Sequence, residues 1–247
     1  MSSTGIDISK AKNCLPDHVR IEFHDSIDST NTELVRRVKN GDAGYGDVIA
    51  AGMQTAGRGR RGKSFTSPRG GIYFSFAAKN TEGALPTITA GVAAASALER
   101  FGYDPQIKWV NDILLGGKKV CGILAEAVSG TGLCVIGIGI NLKKSSIPEE
   151  LSKTAAALDE FRAPPPDEEL VGAVASEFFS VENEPPKTII ERYRRHLGFL
   201  GTDIIIKNTG ETCRALDVTE DGELKVMRSD GSVTYLNSGE ISILTDR

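Results

Sequence analysis

The chain has 247 residues, of which 40% are hydrophobic and 25% charged, and a formal net charge of −4. Those are ordinary values for a folded protein and give no overall basic footprint for nucleic acid. The length suits one large domain, or a medium domain with a small appendage, and buries enough surface that no disulfide or structural metal is required.

Residues 1–18 contain no apolar core for a signal peptide. No run approaches the ~18 apolar residues of a membrane span, so a cytoplasmic location without a membrane partner is expected. Cys14, Cys121, Cys134 and Cys213 are scattered with no CxxC pair. Cys121 and Cys134 sit in apolar runs and read as small buried hydrophobes of a reducing compartment. His18, His24 and His196 lack zinc-ligand spacing, which argues against a zinc site or a histidine-based triad.

Val19 to Phe23 alternates like a strand. Ser29, Thr30 or Asn31 can then cap a helix that carries Leu34, Val35 and Val38 on one side and ends near Asn40–Gly41. Strands are expected at 47–51 and 71–77. Pro86 suits the first turn of an alanine-rich helix reaching about Phe101. Apolar runs at 106–115, 119–127 and 132–142, divided by glycines, predict adjacent strands of one sheet. Helices follow at 167–181, with Asp167, Glu168 and Glu169 in the first turn, and at 187–197. From Gly201 short alternating runs are punctuated by Asp221-Gly222 and Asp230-Gly231, which are hairpin signals. The expected organisation is an α/β domain over 1–200 and a small β domain over 201–247.

The segment Gln54-Thr-Ala-Gly57-Arg58-Gly59-Arg60-Arg61-Gly62-Lys63 places four cations within six residues. Two unit charges ~4 Å apart repel by about 1 kcal/mol in water and about 4 at an effective dielectric of 20, so the cluster makes sense if an anion arrives there. A solvated surface loop is the plainer alternative. The spacing of Gly57, Gly59 and Gly62 also matches the dinucleotide fingerprint, but that motif needs a helix at its third glycine. Here Lys63-Ser-Phe-Thr-Ser-Pro68 leads towards another strand. A cationic loop closing over a polyphosphate suits the residues better, and such a lid is expected to be mobile until ligand orders it.

Ile107-Lys108-Trp109-Val110-Asn111-Asp112-Ile113 puts a lysine among strand formers. Read as one strand, it sets Lys108, Val110 and Asp112 on one face and Trp109 and Asn111 on the other. Lys108 then either pairs with an acid such as Asp112 or faces an anionic ligand. In Val135-Ile-Gly137-Ile-Gly139-Ile-Asn141 two glycines interrupt an apolar strand, and Gly122 does the same in the strand before. Tight strand packing and close approach of a ligand both account for them.

Five segments in order carry a resemblance: Asp28-Ser-Thr-Asn31, Gln54 to Gly62, Lys108-Trp-Val-Asn-Asp112, Lys119-Val-Cys-Gly-Ile-Leu-Ala-Glu126 and Gly137-Ile-Gly-Ile-Asn141. Together they resemble biotin–protein ligases, closely over about 20–160 and more loosely beyond. The resemblance implies a catalytic domain like those of class II aminoacyl-tRNA synthetases, with a mixed sheet, and an SH3-like C-terminal β-barrel. It implies ATP-dependent formation of biotinyl-AMP, with Mg²⁺, and transfer of biotin to a lysine of a biotin carboxyl carrier domain. Ser29, Thr30, Asn31, Gln54, Gly57, Arg58, Gly59, Arg60, Lys108 and Gly122 are then the expected biotin residues. Arg58, Arg60, Arg61, Lys63, Phe65, Lys108, Asn111 and Asn141 are the expected ATP or adenylate residues, with Arg58 and Lys108 catalytic. The resemblance assigns no metal ligand and leaves a homodimer open. Three departures stand out: Phe65 replaces a usual tryptophan, Val110 a common proline, and Thr154-Ala-Ala-Ala a threonine-serine-leucine stretch. With the first motif starting at Asp28, the DNA-binding winged helix of some members is not expected. The nearest rival is a lipoate–protein ligase, against which the polar set at 29–31 and 54 argues. A non-catalytic biotin-binding module would have little use for the arginine cluster with Lys108.

Overall fold

The computed structural model describes residues 15–244 apart from Glu82 and Ala84. Cys14 and nearly all of the segment considered for a signal peptide lie outside the described residues. Seven strands form one mixed sheet in the order β1-β2-β3-β7-β6-β5-β4. They are β1 (Arg20–His24), β2 (Asp47–Ala51), β3 (Gly71–Lys79), β4 (Gln106–Lys108), β5 (Asp112–Leu115), β6 (Lys118–Val128) and β7 (Leu133–Asn141). Of these strand pairs, β1 and β2 run parallel and the others antiparallel. β3 is buried along all but its last residue, because it is central and helices cover both faces of the sheet.

Helix α1 (Thr30–Asn40) starts where Ser29 Oγ accepts from Thr32 N–H, and it ends at Gly41 with φ 79°. That glycine conformation lets Asp42 N–H reach Arg37 O at 2.9 Å and close the last turn. Leu34 and Val38 pack on Ile49, Ala77, Val128 and Val135, one face of the sheet. The opposite face carries α2 (Leu85–Arg100), backed by α3 (Asp167–Val181) and α4 (Pro186–Arg195). Alanines at 90, 93, 94, 95 and 97, all fully buried, let α2 fit between the two layers.

The expected strand over 106–115 is instead a hairpin. β4 pairs with β5 antiparallel, Lys108 opposite Asp112, and the chain turns at 109–111. The alternation of faces expected along 108–112 therefore fails. Trp109 sits in this turn, buried, and donates to Gly222 O at 3.0 Å. A tertiary hydrogen bond and a pocket for the indole override the local strand propensity.

The C-terminal strands β8 (Asp203–Ile206), β9 (Glu211–Val218), β10 (Leu224–Arg228), β11 (Val233–Leu236) and β12 (Ile241–Ile243) form an antiparallel sheet in the order β11-β10-β9-β8-β12. Gly222 and Gly231 have φ 81° and 83° in the two expected turns. Ile204, Ile206, Val218, Val226 and Ile241 join the same buried cluster as the main sheet. A sequence boundary at residue 200 is thus not a boundary of the core.

Candidate active site

A cleft of about 200 Å³ opens on the α1 face of the large sheet. Its floor is where β3, β7 and β6 lie side by side. Register places Ser75, Gly137 and Leu124 in one row and Tyr73, Gly139 and Gly122 in the next. A Cβ on Gly137 would stand 2.0 Å from Asn31 Oδ1. One on Gly139 would be 2.5 Å from the Phe65 ring, and one on Gly122 would be 2.7 Å from it. The glycines make room for Asn31 and Phe65, side chains that themselves shape the cleft.

One end of the cleft is neutral and hydrogen-bonded. Ser29, Thr30 and Asn31 are buried at the start of α1. Gln54 Oε1 accepts from Thr30 N–H at 2.9 Å and from its hydroxyl at 3.1 Å, while Gln54 Nε2 donates to Ser67 Oγ at 2.9 Å. Ser75, fully buried on β3, lies 2.7 Å from Thr30 Oγ1 and 2.6 Å from Asn31 Oδ1. Asn31 Nδ2 donates to Glu126 Oε2 at 2.9 Å. Buried polar groups satisfied in this way hold one orientation, since breaking the set leaves unpaired atoms in a low dielectric. The sequence alone does not single out Ser67 or Ser75. A lone serine in the apolar run Gly71–Ala77 is the available signal.

The other end is cationic. Gly59 N–H bonds Lys63 O at 2.7 Å and Phe65 N–H bonds Gly57 O at 2.9 Å, so the loop is a tight reversal. It holds a single helical turn, Arg60–Gly62, with Arg61 at φ 56°. The chain then runs on towards β3, without the long helix that a dinucleotide site requires. Arg60 is half-buried and donates to Asn111 Oδ1 at 3.3 Å; burial lowers its pKa, with Arg61 adding to the effect. Burial likewise pulls the Lys108 ammonium below the ordinary lysine range, opposed by Asp112. Lys108 does not pair with Asp112. That carboxylate pairs with Lys119 at 2.6 Å, and Lys119 Nζ lies 5.4 Å from the centre of the Phe65 ring. Arg58 and Lys63 pair with Glu126 at 2.8 Å and Glu240 at 2.6 Å.

Ser29, Thr30, Asn31, Gln54, Arg58, Gly59, Arg60, Arg61, Lys63, Phe65, Lys108, Asn111 and Gly122 all line the cleft. Gly57 and Asn141 do not. A Cβ on Gly57 would meet Phe65 O at 2.3 Å and Ser67 Oγ at 2.4 Å, so this glycine lets the loop fold back. Asn141 Nδ2 donates to Ala156 O at 3.1 Å. It clips the alanine stretch to β7 while Ala155 pairs with Lys119. The cleft is also lined by Asp112, Lys119, Lys207 and Glu240, which the motifs alone do not assign to it. Asp112 and Lys119 are within reach of sequence reasoning, since both belong to the five ordered segments that carry the resemblance. Lys207 and Glu240 come from the small domain, and only its docking brings them here. Among the described residues no group of three or more His, Cys, Asp or Glu could hold a metal ion.

Residues 23–142 match the biotin/lipoate A/B protein ligase family. The chain is 37% identical over 134 residues to the bifunctional ligase/repressor BirA of Salmonella typhimurium, covering 51% of this chain and 41% of that protein. It is 35% identical over 150 residues to a biotin–[acetyl-CoA-carboxylase] ligase of Paracoccus denitrificans, covering 56% and 58%. The chain thus matches about half the length of these curated relatives. Its fold is similar to the structure of a biotin protein ligase from Aquifex aeolicus in complex with biotin and ATP. That likeness has a TM-score of 0.78 at 27% identity, over 90% of this chain and 97% of the other. The stretch that matches this family model, residues 23–142, holds α1, the cationic loop and the glycine strands.

Proposed function

We propose that the chain is an ATP-dependent biotin–protein ligase. It joins biotin and ATP into biotinyl-AMP with release of pyrophosphate, then transfers biotin to one lysine of a biotin carboxyl carrier domain. The observation that carries this reading is one cleft with a buried neutral hydrogen-bonding set at one end and a cluster of cations at the other. A ureido ring offers one acceptor and two donors, which suits Ser29, Thr30, Asn31 and Gln54. A lipoate dithiolane offers no comparable donors or acceptors to this polar end.

Biotin's carboxylate is ionised at neutral pH and attacks the α-phosphorus of ATP; pyrophosphate leaves. The protein's share is positioning and charge stabilisation. Arg60 and Lys108 are the cations assigned to the developing charge, with Arg61 and Lys63 towards the polyphosphate. Mg²⁺ enters with its substrate as MgATP. Phe65 offers a ring face to the adenylate. Gly57, Gly59 and Gly122 give it and the loop their room, Asn111 orients Arg60, and Asn141 acts through the 154–157 stretch. In the second step the carrier amine attacks the mixed anhydride and AMP departs. An ordinary lysine amine, with a pKa of about 10.4, is only roughly 0.04% neutral at pH 7, so a proton must be removed from it.

The test is incubation with biotin, MgATP and a carrier domain, following pyrophosphate and carrier mass. Biotin-dependent pyrophosphate and a carrier gaining one biotin are expected. Release with lipoate and none with biotin would overturn the reading. Lys108→Ala and Arg60→Ala are each expected to slow adenylate formation at least ~100-fold, the scale for losing one charge-stabilising donor.

A further inference from the structure

Arg58, like Lys63 and Lys119, is paired with a carboxylate, but its partner is the one that also holds Asn31 of the neutral end. Its guanidinium grips Glu126 with two bonds, Nη2 to Oε1 at 2.8 Å and Nη1 to Oε2 at 3.2 Å. The same Glu126 Oε2 accepts from Asn31 Nδ2 at 2.9 Å. Arg60 and Lys108, by contrast, have no carboxylate within ion-pair distance among the described residues. They keep their charge for an incoming anion.

Glu126 lies on β6 opposite Val135 and is not part of the cleft lining, although Arg58 and Asn31, which it bonds, are. One carboxylate therefore ties three separate elements: the cationic loop through Arg58, the start of α1 through Asn31, and β6 itself. Arg58 sits where the loop chain reverses, paired across to Ser64, so fixing its guanidinium fixes the base of the loop. At the same time the carboxylate aims the Asn31 amide, whose Oδ1 bonds to Ser75 and which Gly137 leaves room for. A bidentate arginine–carboxylate pair has the geometric definition for such a task.

We infer that Glu126 and Arg58 form a latch that positions the cationic loop and Asn31, and that Arg58 acts through Glu126 instead of binding the ligand's carboxylate or phosphates itself. Both are positioning residues. This assignment rests on the biotin-ligase reading for what the site binds, but the latch itself is a property of the ligand-free protein.

Two measurements test it on the full chain. The first is a double-mutant cycle with Glu126→Gln, which keeps an acceptor for Asn31 but removes the charge, and Arg58→Gln. Each single variant is expected to raise KM for biotin about 5- to 10-fold with kcat within about twofold, the scale of one partly exposed ion pair. The double variant is expected to be no worse than the poorer single one, because both remove the same interaction. A loss in the double variant equal to the product of the two single losses would overturn the latch. So would a fall of ~100-fold in kcat for Arg58→Gln beside a near-normal Glu126→Gln, the pattern of a direct charge-stabilising donor.

The second is limited trypsin digestion without ligand, following cuts after Arg60, Arg61 and Lys63. Both single variants are expected to be cut several-fold faster than the unaltered protein, at unchanged melting temperature. Equal rates in all three would refute the latch. If the unaltered protein released no pyrophosphate with biotin, the functional reading would fall while the digestion still decided the latch.

Discussion

At the scale of single residues, the glycines of β6 and β7 are defined by what occupies the space beside them. Gly137 is the sharpest case, because Asn31 is buried and its Oδ1 lies where a Cβ would stand. Gly137→Ala is expected to displace Asn31 and raise KM for biotin ~10-fold or more, with stability lowered by about 1–3 kcal/mol for the strain. Unchanged biotin affinity would show that Asn31 has no part in binding. Lys108 carries a pH signature. Burial makes it lose its proton more easily than an ordinary lysine, so its cation is present at low pH and lost as pH rises. Adenylate formation is therefore expected to decline on the alkaline side below pH 10.5. Lys108→Arg is expected to move that decline upward in a pH–rate profile, since arginine stays charged.

At the scale of elements, α1 and the loop after β2 show two ways of fixing a site. Helix α1 is held by caps, by Leu34 and Val38 against the sheet, and by Glu33, which reaches Arg36 and Arg37 one turn on. The Arg36 guanidinium, helped by Arg37, holds the Glu33 carboxyl down to about 2 from an ordinary 4.5. Its stabilisation is thus complete above about pH 4.5 and disappears as pH falls towards about 2. Glu33→Gln is expected to cost about 1 kcal/mol at pH 7, allowing for solvent screening, and progressively less on acidification. Urea unfolding at several pH values checks this. The loop, with its arginines and glycines, has backbone bonds and ion pairs but little apolar burial. As a lid it is expected to lose trypsin sensitivity at 60–63 when biotin and MgATP are saturating. Unchanged cleavage would argue against closure over the ligand.

At the scale of the molecule, the small β domain is part of the site and of the core. Trp109 bonds Gly222, Arg194 pairs with Asp217 at 2.8 Å, and Glu240 reaches Lys63. Buried Ile241 lies in the common cluster. Ile241→Ala is expected to cost about 2–5 kcal/mol and to lower one calorimetric transition of the whole chain. Two separated transitions would show that the domains unfold independently. No helix among the described residues is long and apolar enough to cross a membrane.

Local physics makes much of this legible in the sequence. The helices at 30–40 and 167–181 follow from caps and apolar spacing, the hairpins at 221–222 and 230–231 from turn residues. The cationic loop declares itself because four cations in six residues need an anion. The same residues cannot say which partner each charge will take. Read on one strand, Lys108 either pairs with Asp112 or faces an anion, and only the hairpin and the entry of Lys119 give that carboxylate to another lysine. Gly137 and Gly139 announce close approach without naming Asn31 and Phe65, which arrive from about 105 and 75 residues earlier in the chain. Glu240 and Lys207 carry no signal, because only docking of the last strands brings them to the cleft. Backbone propensity and turn chemistry are local and can be read in order; ion-pair choice and the filling of space are settled by long-range packing.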